Sequence, residues 1–277
     1  MTLAGALGVS SPLAASMAGT AIAAPIPQAR TAVASVRTLH PATGVGVPER
    51  RPAPDPETTP GRERKQDPPR HTGWERASVL VHVPGAGIVA KRDPWAGAPV
   101  VGTVAATSKY YHVPIVIRIE RTNPAGTWGR VELPYVWPRV DGWIPLAGLQ
   151  RERTFVHVDV DLSEHRVRVY KHDDLLYSVA GATGAPASPT PPGAYVVTDR
   201  VSFAAGGSLG SFAFGISGIQ PHLPAGWGGG NQLAIHGTND PSSIGTSASA
   251  GCVRVSEWAL DRFKPLLRLG VPVIIHA

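Results

Sequence analysis

The sequence predicts a mainly β fold with one helix near its C-terminus. Three observations predict it. From about residue 74 onward, short apolar runs recur at close spacing, separated by Gly, Pro and Asn. Glycine (31) and proline (28) are too frequent among the 277 residues for a helical bundle. Helical periodicity shows in one place, where Trp258, Phe263, Leu266 and Leu267 form one stripe over residues 257–269. A hydrophobic content of 43% is enough to build a buried core.

Residues 1–24 are small, apolar and uncharged, and Ala21-Ile22-Ala23 fits a small-x-small cleavage site. They are expected to be a signal peptide or an N-terminal anchor. That places the protein outside the cytoplasmic membrane, secreted or tethered in the cell envelope. The stretch has too few bulky residues for a membrane span. Residues 25–72 are rich in Pro, Arg, Thr and Glu and have no hydrophobic period, so they cannot bury enough apolar area to offset chain entropy. A Pro-rich linker is expected there.

Residues 73–150 read as a small β module. Its strands are expected at Val79–Val83, Val100–Val104, Tyr110–Ile119, Trp128–Leu133 and Gly142–Pro145, with Trp128 and Trp143 as core aromatics. The pair Trp128-Gly129-Arg130-Val131 and Gly142-Trp143-Ile144 resembles the last two strands of a bacterial SH3-like domain. A third region, 151–277, opens with two alternating runs, Phe155–Val160 and His165–Tyr170, joined by Asp161-Leu162-Ser163-Glu164; they are expected to pair antiparallel. Further strands are expected at Leu175–Ala180, Ala194–Thr198, Leu233–Ile235 and Val271–Ile275. Gly181–Gly193 and the glycine-rich Gly206–Gly230 read as loops. The helix is expected over Glu257–Leu269, with Ser256 as N-cap and Gly270 as its stop.

The net charge of +6 suits polyanionic surroundings, but no basic-aromatic cluster suggests nucleic-acid binding. No HxH, HxxxH or CxxC spacing offers a metal site, and one cysteine gives no sulfur cage.

That cysteine, Cys252, lies in Ser249-Ala250-Gly251-Cys252-Val253-Arg254, downstream of Ile235-His236-Gly237. A lone cysteine in an exported chain cannot form an internal disulfide, so it is either inert or kept for its chemistry. Most isolated cysteines are small buried hydrophobes. Here the flanking Gly251 and Ser249 argue for a sharp polar turn instead. A free thiol is mostly protonated at neutral pH, and an imidazole such as His236 can take its proton. Gly251 permits a crowded turn whose N–H groups could face a developing oxyanion. A papain-like peptidase would place its cysteine before its histidine; the order here is the reverse.

These residues resemble the YkuD family of L,D-transpeptidases. That family pairs His-Gly or His-Ser with a downstream Ser/Thr-His-Gly-Cys, an apolar residue, then Arg or Asn. Ala182-Thr183-Gly184 and Pro189-Thr190-Pro191-Pro192-Gly193 resemble its upstream strand and turn. The resemblance implies a mixed or barrel-like sheet with one C-terminal helix. It implies Cys252 as nucleophile, His236 as base and the Gly237 carbonyl as the group that orients the imidazole. Backbone N–H groups around Ala250, Gly251 and Cys252 would form the oxyanion hole. Arg254 would organise the site or meet a substrate carboxylate, and Ser249 would pin the turn by hydrogen bonding. His222 and Trp227 are weaker candidates for substrate contact, in the loop expected to cover the site. The implied partners are peptidoglycan stem peptides, a tetrapeptide donor and a diamino-acid amine acceptor, with β-lactams as inhibitors and no cofactor. Hydrolysis of stems, or wall binding without catalysis, are the competing outcomes. One departure stands out: Ala250 occupies the position where the family commonly has histidine.

Overall fold

A computed structural model describes residues 77–204, 206–223 and 230–277, which belong to one compact unit. The expectations for residues 1–24 and 25–72, and for Trp227, fall outside the described residues.

The N-terminal strands form two sheets around one hydrophobic cluster. In the first, Ser78–His82 lies between Val116–Ile119 and Arg151–Thr154, antiparallel to both. In the second, five strands run in the order Val100–Val104, Ile88–Lys91, Asp141–Pro145, Trp128–Glu132, Arg121–Thr122. Val81, Ile117, Val131 and Ile144 meet in the cluster between them. Because side chains alternate across a strand, burying Val131 and Ile144 turns Trp128 and Trp143 to the other face. The two tryptophans are half-buried there rather than core residues, and the Arg121 guanidinium stands over the Trp143 ring at 5.4 Å. The expected strand 110–119 is shorter, because its first residues form a turn in which His112 takes a positive φ of 54°.

The larger sheet has eight strands. Their order is Asp174–Ala180, Arg166–Lys171, Val156–Asp161, Pro272–His276, Gly193–Ser202, Phe212–Ile219, Gln232–His236, Val253–Arg254. The first two expected strands pair antiparallel, and the Asp161 carboxylate caps their turn by accepting from the Ser163 and Glu164 amides, both at 3.0 Å. Two junctions are parallel: Pro272–His276 beside Val156–Asp161, and Gln232–His236 beside Val253–Arg254. A separate parallel pair joins Thr183–Gly184 to Ser247–Ser249, inside the first of the expected loops.

The second expected loop, 206–230, contains the strand Phe212–Ile219. Both of its faces are buried, so it lacks the polar alternation that marks a half-exposed strand. Its glycines make room for neighbours. A Cβ on Gly218 would meet the Tyr195 ring at 2.6 Å, and one on Gly215 would meet the Gln232 amide at 2.6 Å.

The helix spans Glu257–Phe263, shorter than expected. Ser256 caps it, accepting from the Ala259 amide at 3.2 Å. Pro265 ends it, because proline has no N–H for the helical ladder and its ring crowds the preceding turn. Gly270 is therefore not the stop. With φ at +81° it turns the chain into the last strand, and its bare Cα packs against Val116 and Leu80 of the N-terminal sheet. Leu260 and Phe263 seat the helix on the core of Val197, Phe214 and Ile235.

Hydrogen bonds also join the N-terminal part to the large sheet, among them the following. The Tyr135 amide donates to the Ser217 carbonyl at 2.7 Å, Tyr110 Oη donates to Asn231 Oδ1 at 2.9 Å, and Ser108 Oγ donates to Asp199.

Phe263 is fully buried at the centre of the helix contact. Phe263→Ala is expected to destabilise the fold by about 3–5 kcal/mol, through lost transfer energy and the cavity left behind. Urea denaturation followed by tryptophan fluorescence measures it, and a change under 1 kcal/mol would contradict this packing.

Candidate active site

The parallel pairing of Gln232–His236 with Val253–Arg254 sets Ile235 opposite Val253 and His236 opposite Arg254. Cys252 immediately precedes the second strand, and the same register carried back one residue sets it beside Ala234, two residues before His236. The Val255 amide donates to the His236 carbonyl at 2.9 Å and fixes this register.

His236 is buried, with 4% of its surface exposed. Its Nδ1 lies 2.5 Å from the Gly237 carbonyl oxygen. A carbonyl only accepts, so Nδ1 carries the proton and Nε2 is left with a free lone pair. Burial lowers the imidazole pKa to about 4; the Gly237 hydrogen bond opposes that shift and the Arg254 charge adds to it. Gly237 has no space for a side chain: a Cβ there would lie 2.3 Å from a Glu257 carboxylate oxygen and 2.9 Å from the Gly210 Cα.

Cys252 is half-buried. Its Sγ donates to the Gln232 carbonyl over 3.9 Å. Burial pushes the thiol pKa up, against the Ala234 backbone and the Arg254 charge, which lower it. At neutral pH the pair therefore rests as a neutral thiol and a neutral imidazole. The imidazole can accept the thiol proton as an electrophile arrives.

Gly251 makes the turn possible. Its φ is +117°, and an added Cβ would fall 2.0 Å from the Gln220 amide nitrogen. Ser249, 3% exposed, locks the same turn: its hydroxyl donates to the Cys252 carbonyl at 2.5 Å and accepts from the Gly251 amide at 3.0 Å. The Gly251 N–H, expected in the oxyanion hole, is thus engaged inside the turn. Arg254 is held through its backbone, which exchanges two hydrogen bonds with Ala182 at 2.8 and 2.9 Å. Its Nε is buried and makes no hydrogen bond. His222 is exposed, its amide donating to Gln220 Oε1 at 2.9 Å.

Sequence reasoning missed Gln220. Buried at 3% exposure, it donates through Nε2 to the Ser188 and Pro189 carbonyls at 3.1 and 2.9 Å, tying the proline-rich turn to the cysteine turn. A lone amide closing the apolar run Phe212–Ile219 was the available signal. One cluster of carboxylates among the described residues, Glu120, Glu132 and Asp141, brings its oxygens within 4.8 Å, but Arg130 and Arg139 bridge it, so it reads as an ion-pair network.

Residues 156–275 match the family model of the L,D-transpeptidase catalytic domain, YkuD. That segment is similar to the YkuD L,D-transpeptidase catalytic domain and holds both Cys252 and His236. A Bacillus licheniformis protein named for the YkuD L,D-transpeptidases is 31% identical over 113 residues, which cover 40% of this chain. The chain spans 61% of the length of that relative. Among solved structures, L,D-transpeptidase 3 from Mycobacterium tuberculosis aligns with a TM-score of 0.39 at 16% identity, over 60% of this chain and 92% of that one. An L,D-transpeptidase from Mycobacterium smegmatis aligns at 0.37 and 16%, over 69% and 99%.

Two predictions follow from this geometry. Gly251→Ala combines a strained φ with a clash on Gln220, and is expected to lower the melting temperature and slow Cys252 alkylation by iodoacetamide; unchanged values of both would contradict the turn. The second concerns pH. The unfolded His236 titrates near the ordinary value of about 6.5 and the folded one near 4, so the unfolded state binds the extra proton between them. Stability present above about pH 6.5 is therefore lost as pH falls through 4, by roughly 3 kcal/mol for this group. His236→Gln should flatten that part of the stability–pH curve, measured by denaturant titration.

Proposed function

We propose that this protein is a cysteine acyltransferase acting on peptidoglycan. Cys252 would attack the carbonyl of the diamino acid at the third position of a tetrapeptide stem. The thiol proton passes to His236 Nε2, D-Ala leaves with a proton, and a thioester remains. The side-chain amine of another stem's third residue then displaces the thiol, giving a 3→3 cross-link. The observation that carries this reading is that, inside the segment matched by the YkuD model, a half-buried thiol and an imidazole whose Nδ1 proton is committed to the Gly237 carbonyl stand at two adjoining strands.

The neutral resting pair suits an electrophile-triggered proton transfer more than a standing ion pair. The oxyanion would be met by the Cys252 and Ala250 amides, because the Gly251 amide serves Ser249. Ala250 retains a backbone donor but not the side chain that relatives commonly carry there. Arg254 would bind a stem carboxylate through the buried Nε that has no hydrogen bond. We also place the protein outside the cytoplasmic membrane, with residues 25–72 as a spacer and the N-terminal β strands as an SH3-like module.

The test is intact-mass spectrometry with a carbapenem, followed by incubation with disaccharide-tetrapeptide. Wild-type protein is expected to gain one adduct and to form 3→3 dimers, and Cys252→Ala neither. His236→Gln should slow acylation by about 10²–10⁴-fold. Arg254→Gln should raise KM more than it lowers kcat. A wild-type protein that acylates but only trims stems would identify a hydrolase; one that stays unmodified with its thiol free would sink the enzymatic reading.

A further inference from the structure

A buried polar network connects the N-terminal sheets to the thiol. Asp199 lies in the strand Gly193–Ser202 with none of its surface exposed. Its Oδ1 accepts from Ser108 Oγ, a side chain of the N-terminal part that is itself 1% exposed. Its Oδ2 accepts from Thr198 Oγ1 at 2.9 Å and from Gln232 Nε2 at 2.6 Å. Asp199 and Gln232 stand on the two strands flanking Phe212–Ile219, and they meet over Gly215. A Cβ on Gly215 would lie 2.6 Å from the Gln232 amide and 2.9 Å from the Asp199 carboxylate, so only glycine leaves the passage open. Gln232 Nε2 also donates to the Ile216 carbonyl at 3.3 Å. The main-chain carbonyl of this same Gln232 is the acceptor facing Cys252 Sγ.

We propose that Asp199 is a positioning residue for the Cys252 thiol, oriented by Ser108, so that the N-terminal sheets help set the reactivity of the nucleophile. This rests on the reading of Cys252 as the nucleophile. The physical basis is that a buried carboxylate needs its hydrogen bonds to be complete. Four donors, Ser108, Thr198, Gln232 and, at 3.5 Å, Tyr135 Oη, leave Asp199 one arrangement, and that arrangement fixes the Gln232 backbone beside the sulfur. When Gln232 relaxes, the thiol loses an acceptor that favours its protonated form, and water reaches a sulfur whose pKa burial had raised. Both changes lower the pH at which the thiol ionises, while the alignment needed for acyl transfer is lost. Arg254 is the charged group that acts on the sulfur, and the titratable His236 stands opposite Arg254 on the adjoining strand; the variants below leave both in place.

The experiment uses the full chain as wild type, Asp199→Asn, Ser108→Ala, the double variant and Tyr110→Phe. The last removes a different bond between the N-terminal sheets and the large sheet. Two readouts are taken: the pH profile of Cys252 alkylation by iodoacetamide, and the rate of acylation by a carbapenem. Asp199→Asn and Ser108→Ala are expected to move the alkylation midpoint to lower pH and to slow acylation about fivefold or more. The double variant should be no worse than Asp199→Asn alone, and Tyr110→Phe should match wild type. If Asp199→Asn does not fold, Gln232→Leu must show the same displacement. Folded Asp199→Asn and Ser108→Ala proteins with wild-type profiles would overturn the proposal, as would an equal displacement in Tyr110→Phe. A wild-type protein that is alkylated but never acylated would count against the transpeptidase reading, while the alkylation profiles still decide the role of Asp199.

Discussion

The site depends on one pairing, the parallel contact between Gln232–His236 and Val253–Arg254. It sets the imidazole and the cysteine turn on neighbouring strands, and it gives each a rigid base. Everything around it serves to let two backbones approach. Gly237 yields to Glu257 and Gly210, Gly251 yields to Gln220, and Gly215 yields to the Asp199–Gln232 contact. At each of these positions a single methyl group would displace a polar side chain that holds a neighbouring segment.

The electrostatics follow from the same crowding. Burial disfavours charge on both the thiol and the imidazole, so the resting site stores neither a thiolate nor an imidazolium. The nearby Arg254 charge acts on the two groups unequally in consequence. It favours the thiolate and disfavours the imidazolium, so its two effects on a proton transfer from sulfur to nitrogen oppose one another. A thiol kept protonated in this way resists oxidation, because the thiolate is the reactive form.

How much of this was legible in the sequence differs by element. The hairpin 156–171 could be read because its strands are half-exposed and alternate. Ser256 marked the start of the helix by its side-chain chemistry. The strand Phe212–Ile219 could not be read, because a strand buried on both faces and punctuated by glycine carries the composition of a loop. The helix end was misplaced because apolar spacing continues through Leu266 and Leu267, which pack on the core from turns beyond Pro265. At the site, Cys252, His236, Gly237 and Gly251 were singled out by residue type and order along the chain. Gln220, Asp199 and Gln232 were not. Polar residues inside apolar runs declare themselves as network members only once the strands that bring them together are known.

The order of strands has a biosynthetic consequence. Val156–Asp161 and Pro272–His276, which adjoin at the middle of the large sheet, come from opposite ends of its sequence and pair in parallel. Such a contact cannot form through a tight local turn, and its closure spans most of the domain. The sheet is therefore incomplete until Pro272–His276 have been made. A nascent chain that stops short of them would carry Cys252 without its buried setting. Assembly of the thiol's surroundings is a late event of folding, and the thiol reaches its native environment only once both of these distant strands have been synthesised and joined.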